Sequence, residues 1–163
     1  MWNILENIIH FFIYKIFRLK LSEDKYQAFI QFVKFGIVGL SNTVISYLIY
    51  LGTIKICEAA SVSPKYDYLI ATVVSFILSV LWSFYWNKRF VFKLEGGFKT
   101  MLLALVKTYI SYSFTGLFLS SVLAIFWVEI LGVSKLISPI LNLVISVPVN
   151  FLLNKFWAFK GDK

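Results

Sequence analysis

Cysteine occurs once in this 163-residue sequence, at Cys57, histidine once, at His10, and proline three times. One cysteine excludes an intramolecular disulfide and any multi-cysteine metal site. Acidic residues number only eight, and none falls inside the four longest uncharged stretches, residues 35–54, 68–87, 108–128 and 136–154. With no acid, histidine or thiol in those stretches, there is no constellation for acid–base, nucleophilic or metal chemistry. No catalytic residue, metal or cofactor is therefore expected. Glu129, just past the third stretch, is the nearest acid and reads as a solvated charge at a helix end. A Walker motif is missing too, so any transport by this chain would be downhill or ion-coupled.

What the sequence has in abundance is apolar side chains: 60% are hydrophobic and 19% aromatic, with a mean hydropathy of +0.81. That composition excludes a water-soluble fold of this size. A hydrocarbon core of about 30 Å needs about 20 helical residues, a length that each uncharged stretch meets or nearly meets. The predicted fold is an all-α integral membrane protein of four transmembrane helices arranged as two repeated hairpins. The spans are expected at about 32–54, 68–87, 103–128 and 136–156, within one domain covering 22–160.

Residues 1–20 differ from the rest. No Lys or Arg precedes their apolar stretch and Glu6 interrupts it, which argues against a cleavable signal. At about 100° per residue, Asn3, Asn7, His10, Tyr14 and Arg18 share one face, and Leu5, Ile9, Phe12, Ile16 and Leu19 another. An amphipathic helix lying at the membrane surface is expected over 1–20. Ser22, followed by Glu23 and Asp24, has the pattern of an N-cap and acidic first turn, so a second helix is predicted to start there.

The formal net charge of +8, from 16 Lys and Arg against 8 Asp and Glu, would in a soluble protein point to nucleic acid. Four spans change its meaning. They put the N-terminus, the middle connection and the C-terminus on one side, and of the basic residues only Lys55, Lys65 and Lys135 fall on the other. The whole net charge then sits on one face while the other sums to zero. By the positive-inside rule both termini are expected in the cytoplasm, with membrane lipids and not nucleic acid as the partner.

The chain also repeats itself. Val33-Lys34 opens the first hairpin and Val106-Lys107 the second; Asn87-Lys88-Arg89-Phe90-Val91-Phe92-Lys93 closes the first and Asn154-Lys155-Phe156-Trp157-Ala158-Phe159-Lys160 the second. The outer loop around Pro64 absorbs the extra residues of the first hairpin. Counting back by fours from Asn87 gives Ser83, Ser79 and Ser75; from Asn154 it gives Asn150, Ser146 and Asn142. Such residues share a helix face, so each closing span carries a polar strip. Asn42 with Ser46, and Ser111 with Thr115, form shorter strips in the opening spans.

These strips admit two readings. Ser, Thr and Asn hydrogen-bond between transmembrane helices, and Gly36, Gly39 and Gly116 would allow close helix approach. Alternatively, three Asn in one span favour a groove inside the bundle, because an unpaired amide in hydrocarbon is costly. Pro148, with no N–H for the Val144 carbonyl, is expected to kink the fourth span, and Pro139 reads as a helix start. The basic aromatic motifs are likewise either interfacial anchors or a binding site. Lys34, Lys88, Lys107 and Lys155 at one interface, facing a polar groove, suit a lipid-borne phosphate.

The opening Phe32-Val33-Lys34-Phe35-Gly36-Ile37-Val38-Gly39 with Asn42-Thr43, and the two closing motifs, in a four-span chain of this length, resemble the GtrA-like family over about residues 29 to 160. That resemblance implies a role in cell-surface polysaccharide synthesis in the bacterial cytoplasmic membrane. Members are regarded as moving polyprenyl-phosphate-linked monosaccharides across it for glycosyltransferases outside. The matching positions are Lys34, Asn87, Lys88, Arg89, Asn154 and Lys155; Lys107 follows from the repeat alone. Arg89 would then chelate the phosphate, with lysines adding charge and Asn87 and Asn154 donating hydrogen bonds. The sugar would follow the groove of Asn42, Ser46, Ser75, Ser79, Ser83, Asn142, Ser146 and Asn150. Phe156 stands where Arg89 does in the first motif, so the halves cannot bind phosphate identically. Two other classes stay open: a noncatalytic scaffold for a membrane glycosyltransferase, and a small-molecule exporter, which would need a membrane-embedded acid that the spans lack. Four helices make a thin bundle, and a homodimer is one way to enclose a headgroup.

Overall fold

A computed structural model describes residues 2–16, 21–61, 66–92 and 94–160. Arg18, Leu19, Lys20, Pro64, Lys65, Lys93, Asp162 and Lys163, together with the side chains of Asn3, Leu5, Phe12 and Ile16, lie outside what is described. The described residues form no strands. In chain order they give α1 (Trp2–His10), continued by a wider helical turn over Phe11–Ile16, and α2 (Glu23–Ala59). α3 (Asp67–Phe90), α4 (Phe98–Ile130) and α5 (Ser138–Ala158) follow. The last four are long and apolar enough to cross a membrane. In hydrocarbon there is no water to satisfy a backbone N–H or C=O, so uninterrupted runs of this kind close their bonds within one helix.

α2 is longer than any bilayer requires. Its 37 residues span about 55 Å at about 1.5 Å each, against a core of about 30 Å. The overhang is occupied by α1. Ile9, Tyr14 and Leu21 pack on Tyr26 and Ile30 of α2. Tyr26 Oη donates to the Glu6 carbonyl at 3.2 Å, and the Glu6 carboxylate pairs with Lys34. His10 and Tyr14, assigned to the polar face by the helical plot, instead turn toward α2: their rings lie 5.8 and 5.7 Å from that of Tyr26. Ser22 does occupy the cap position of α2, but its hydroxyl makes no capping bond.

The two hairpins are locked together by aromatic rings. At the ends of α3 and α5 the chain turns back on itself: the Phe92 N–H donates to the Asn87 carbonyl and the Phe159 N–H to the Asn154 carbonyl, each at 2.8 Å. Phe92 and Phe159 are thereby folded under the bundle and buried. They stack on each other at 4.8 Å. Phe159 also stacks on Phe84 at 5.3 Å, and Phe92 packs on Phe151 at 5.8 Å. In the repeat Phe84 corresponds to Phe151 and Phe92 to Phe159. The contacts are therefore exchanged pairs around a local twofold, with Phe35 against both Phe92 and Phe151. The last aromatic of each basic motif is thus a structural clasp, while Phe156 and Trp157 remain exposed.

α5 runs through Pro148 as continuous helix, with Pro139 at its start. In α4 the turns Phe114–Leu119 and Phe126–Ile130 widen to the π form, the first of them including Gly116.

Truncating a buried aromatic typically costs about 3 to 5 kcal/mol. Phe92→Ala and Phe159→Ala are each expected to destabilise the purified protein by about that amount in detergent unfolding. The double variant is expected to cost less than the sum by roughly 1 kcal/mol, the worth of a stacked pair. Trp157→Ala, at an exposed site, should change little.

Candidate functional site

At the basic end of the bundle, α3 delivers Lys88 and Arg89 to the wall of a cavity of about 430 Å³ shared with Phe84, Tyr85 and Met101. The Lys88 ammonium approaches the Met101 Sδ at 3.2 Å, and a thioether is a weak acceptor that leaves most of its donor capacity unspent. Arg89 is exposed, its guanidinium 5.6 Å from the Phe90 ring. Two cations beside a methionine and two rings make a pocket suited to a group that is anionic at one end and apolar at the other.

The other expected phosphate contacts are placed differently. Lys34 is engaged by Glu6 of α1. The Lys155 ammonium lies over the rings of Phe151 and Phe156, at 5.5 and 5.7 Å. Lys107 is half-buried on α4. Asn87 and Asn154 are fully buried, and their amide nitrogens serve their own helices, donating to Ser83 Oγ at 3.2 Å and to Asn150 O at 2.8 Å. They stand behind the surface, Asn87 in the helix end that carries Lys88 and Arg89 and Asn154 in the one that carries Lys155. The structure therefore brings two of the seven residues into one described pocket.

The polar strips divide between both of their expected roles. Ser83 and Asn142 join helices: Ser83 Oγ shares a hydrogen bond with Tyr112 Oη of α4, and Asn142 donates to the Ser120 carbonyl at 3.0 Å. Asn42, Ser46, Ser75 and Ser79 line a cavity of about 430 Å³ between α2 and α3. Asn42, Ser146 and Asn150 line a second, of about 570 Å³, between α2, α4 and α5. Hydroxyls here are satisfied locally: Ser146 donates to Asn142 O at 2.6 Å and Ser75 to Thr72 O at 3.0 Å. Asn42 Oδ1, by contrast, is buried with no hydrogen-bond partner.

Three glycines have a different role from the one their sequence suggests. Gly36, Gly39 and Gly116 all line the larger cavity, and a Cβ added at any of them would meet nothing within 4 Å. They widen a space and do not permit helix contact. Tyr112, which the polar strips did not include, borders both cavities. Its position four residues after Thr108 and four before Gly116 is the signal that would have placed it on the same face.

Residues 34–159 match the GtrA/DPMS transmembrane domain. Over 99 residues, 61% of this chain and 68% of the relative, the sequence is 26% identical to the cell wall teichoic acid glycosylation protein GtcA of Listeria monocytogenes serovar 1/2a. No solved structure matches. With its four apolar spans, the chain is a multi-pass membrane protein.

Glycine inside a helix costs up to about 1 kcal/mol relative to alanine, and at Gly39 and Gly116 the added methyl has free space. Gly39→Ala and Gly116→Ala are accordingly expected to raise unfolding stability by up to about 1 kcal/mol each. Loss of stability in either would show that these glycines lie against packed neighbours.

Proposed function

Given that the chain belongs to the GtrA/DPMS transmembrane domain family, we propose that it moves a polyprenyl-phosphate-linked monosaccharide across the bacterial cytoplasmic membrane for glycosylation of a cell-wall polymer such as teichoic acid. The observation that carries this is the pocket of Lys88 and Arg89 at the basic end of a bundle whose helices flank uncharged clefts bearing hydroxyl and amide groups. The phosphate binds Arg89 in bidentate fashion, with Lys88 as a second cation. Phe84, Tyr85 and Met101 accommodate the first isoprene units, and the sugar enters the bundle. Both termini lie in the cytoplasm, where the basic residues gather, and α1 rests at that membrane surface. We assign the chain no catalytic step: it supplies a glycosyltransferase on the far side with its lipid-linked donor.

Teichoic acid glycosylation is in the name of a relative that shares 26% identity, and it supports the polymer class. The sidedness of the charge supports the direction, from the leaflet where the donor is made to the one where it is used.

Purified protein in vesicles loaded on one leaflet with a polyprenyl-phosphate glucose tests the reading directly. Sugar should appear at the opposite leaflet, detected by a membrane-impermeant sugar probe. Each charge-assisted bond to phosphate is worth about 1.5 to 3 kcal/mol, so Arg89→Ala should slow transfer roughly tenfold or more. The pair Lys88→Ala with Arg89→Ala should slow it further. Unchanged transfer in the folded double variant would remove the phosphate site from these residues.

A further inference from the structure

The two interior cavities lie at different depths. α2 runs away from the basic end and α3 returns to it. The smaller cavity, lined by residues 42–50 of α2 and 72–80 of α3, therefore occupies the half of the bundle remote from the basic residues. The larger takes in residues 35–43 of α2 and 143–150 of α5, and reaches from the basic end to the middle. They have three residues in common, Asn42, Thr43 and Tyr112. These three residues form a wall that the two cavities share.

No charged side chain lines either cavity. Among apolar side chains such as Phe35, Leu143 and Val147, the walls offer hydroxyls, amides and tyrosine rings, groups that bond and stack on a sugar ring. In that shared wall, Asn42 presents the buried, unpartnered Oδ1, an acceptor suited to a sugar hydroxyl. Three glycines open the larger cavity without contact from neighbouring atoms, so a ring there would approach bare backbone.

We infer that the two cavities are the two halves of one site for an uncharged sugar ring, and that Tyr112 is the gate between them. The inference rests on the translocation reading and names the sugar class that reading leaves open. A carboxylate or ammonium on the sugar would enter a space with no opposite charge, and an unpaired ion in such surroundings is strongly disfavoured. Tyr112 is held across the bundle by its hydrogen bond to Ser83 of α3, and Asn87 donates to the same Ser83 oxygen. Asn87 immediately precedes Lys88 and Arg89. The gate thus shares a hydrogen-bonded chain with the helix end that carries the phosphate pocket. Occupation of that pocket can bear on the Tyr112 contact through this chain.

The test uses the full-length protein in phosphatidylglycerol and phosphatidylethanolamine vesicles, with two donors: polyprenyl-phosphate glucose and polyprenyl-phosphate glucuronic acid. The glucose lipid is expected to transfer at least tenfold faster than the glucuronate lipid. Tyr112→Trp, which adds bulk to the shared wall, and Gly39→Leu, which fills the larger cavity, are each expected to slow glucose transfer at least tenfold. Binding of sugar-free polyprenyl phosphate should stay unchanged in Gly39→Leu, which lies outside the hydrogen-bonded chain to the phosphate pocket. Asn42→Leu, conservative in volume, gives a third variant should either of the larger substitutions fail to fold. Equal transfer of the two lipids by the wild-type protein, or full transfer by the folded variants, would overturn the inference and leave the translocation reading standing. Transfer of neither lipid by wild type would overturn both.

Discussion

A polar atom inside hydrocarbon has no water to bond, and that constraint sorts almost every polar side chain in this bundle. Many of the serines and threonines meet it alone, by turning their hydroxyls onto carbonyls three or four residues back: Thr108 onto Ala104, Ser111 onto Lys107, Thr115 onto Ser111. Such residues cost the helix little. An asparagine has more groups to satisfy, and in Asn42, Asn87, Asn142 and Asn154 the amide oxygen is buried without a partner. The asparagines are therefore where the bundle departs from self-sufficiency. Asn87 and Asn154 do so at the two clasped helix ends, Asn42 at the junction of two cavities, and Asn142 at the edge of a smaller cavity with Glu129 and Lys135.

The two hairpins are alike in their clasp and unlike in their chemistry. Phe84, Phe92, Phe151 and Phe159 exchange partners around a local twofold, and both closing helices end with the same five-residue hydrogen bond to an asparagine carbonyl. Beyond that the symmetry breaks. Arg89 stands where the other half has Phe156, and Lys88 faces a thioether while Lys155 lies over rings. A duplicated scaffold of this kind can keep one helix end as a binding pocket and devote the other to packing. It needs only one charged residue replaced by an aromatic.

Much of the architecture was legible in the sequence, because hydrocarbon imposes a single solution on a long uncharged run. The number of spans, the paired hairpins and the polar faces all follow from counting. What counting could not supply is the direction in which a short segment folds after its helix ends. Phe90 and Phe92 look equivalent as letters; the turn at Asn87 buries one and leaves the other half-exposed. Lys34 resembles the other interfacial lysines, yet it is engaged by a carboxylate 28 residues earlier, a pairing that depends on how α1 lies along the overhang of α2. Gly39 and Gly116 match the pattern of helix contact, and only the positions of their neighbours show that they border a space. Tyr112 is one of several tyrosines until α3 and α4 bring its hydroxyl to Ser83.

The central claim is spatial: the phosphate of a lipid-linked sugar sits at Lys88 and Arg89 while its sugar occupies the interior of the bundle. Photocrosslinking by a polyprenyl-phosphate sugar with a diazirine on the ring, mapped by mass spectrometry, measures that arrangement most directly. Crosslinks are predicted at Gly39, Asn42, Tyr112 and Asn150, and they should weaken when Arg89 is replaced by alanine. Crosslinks confined to exposed outward-facing residues such as Leu48, Val73 and Leu117, with the cavity residues unlabelled, would contradict it.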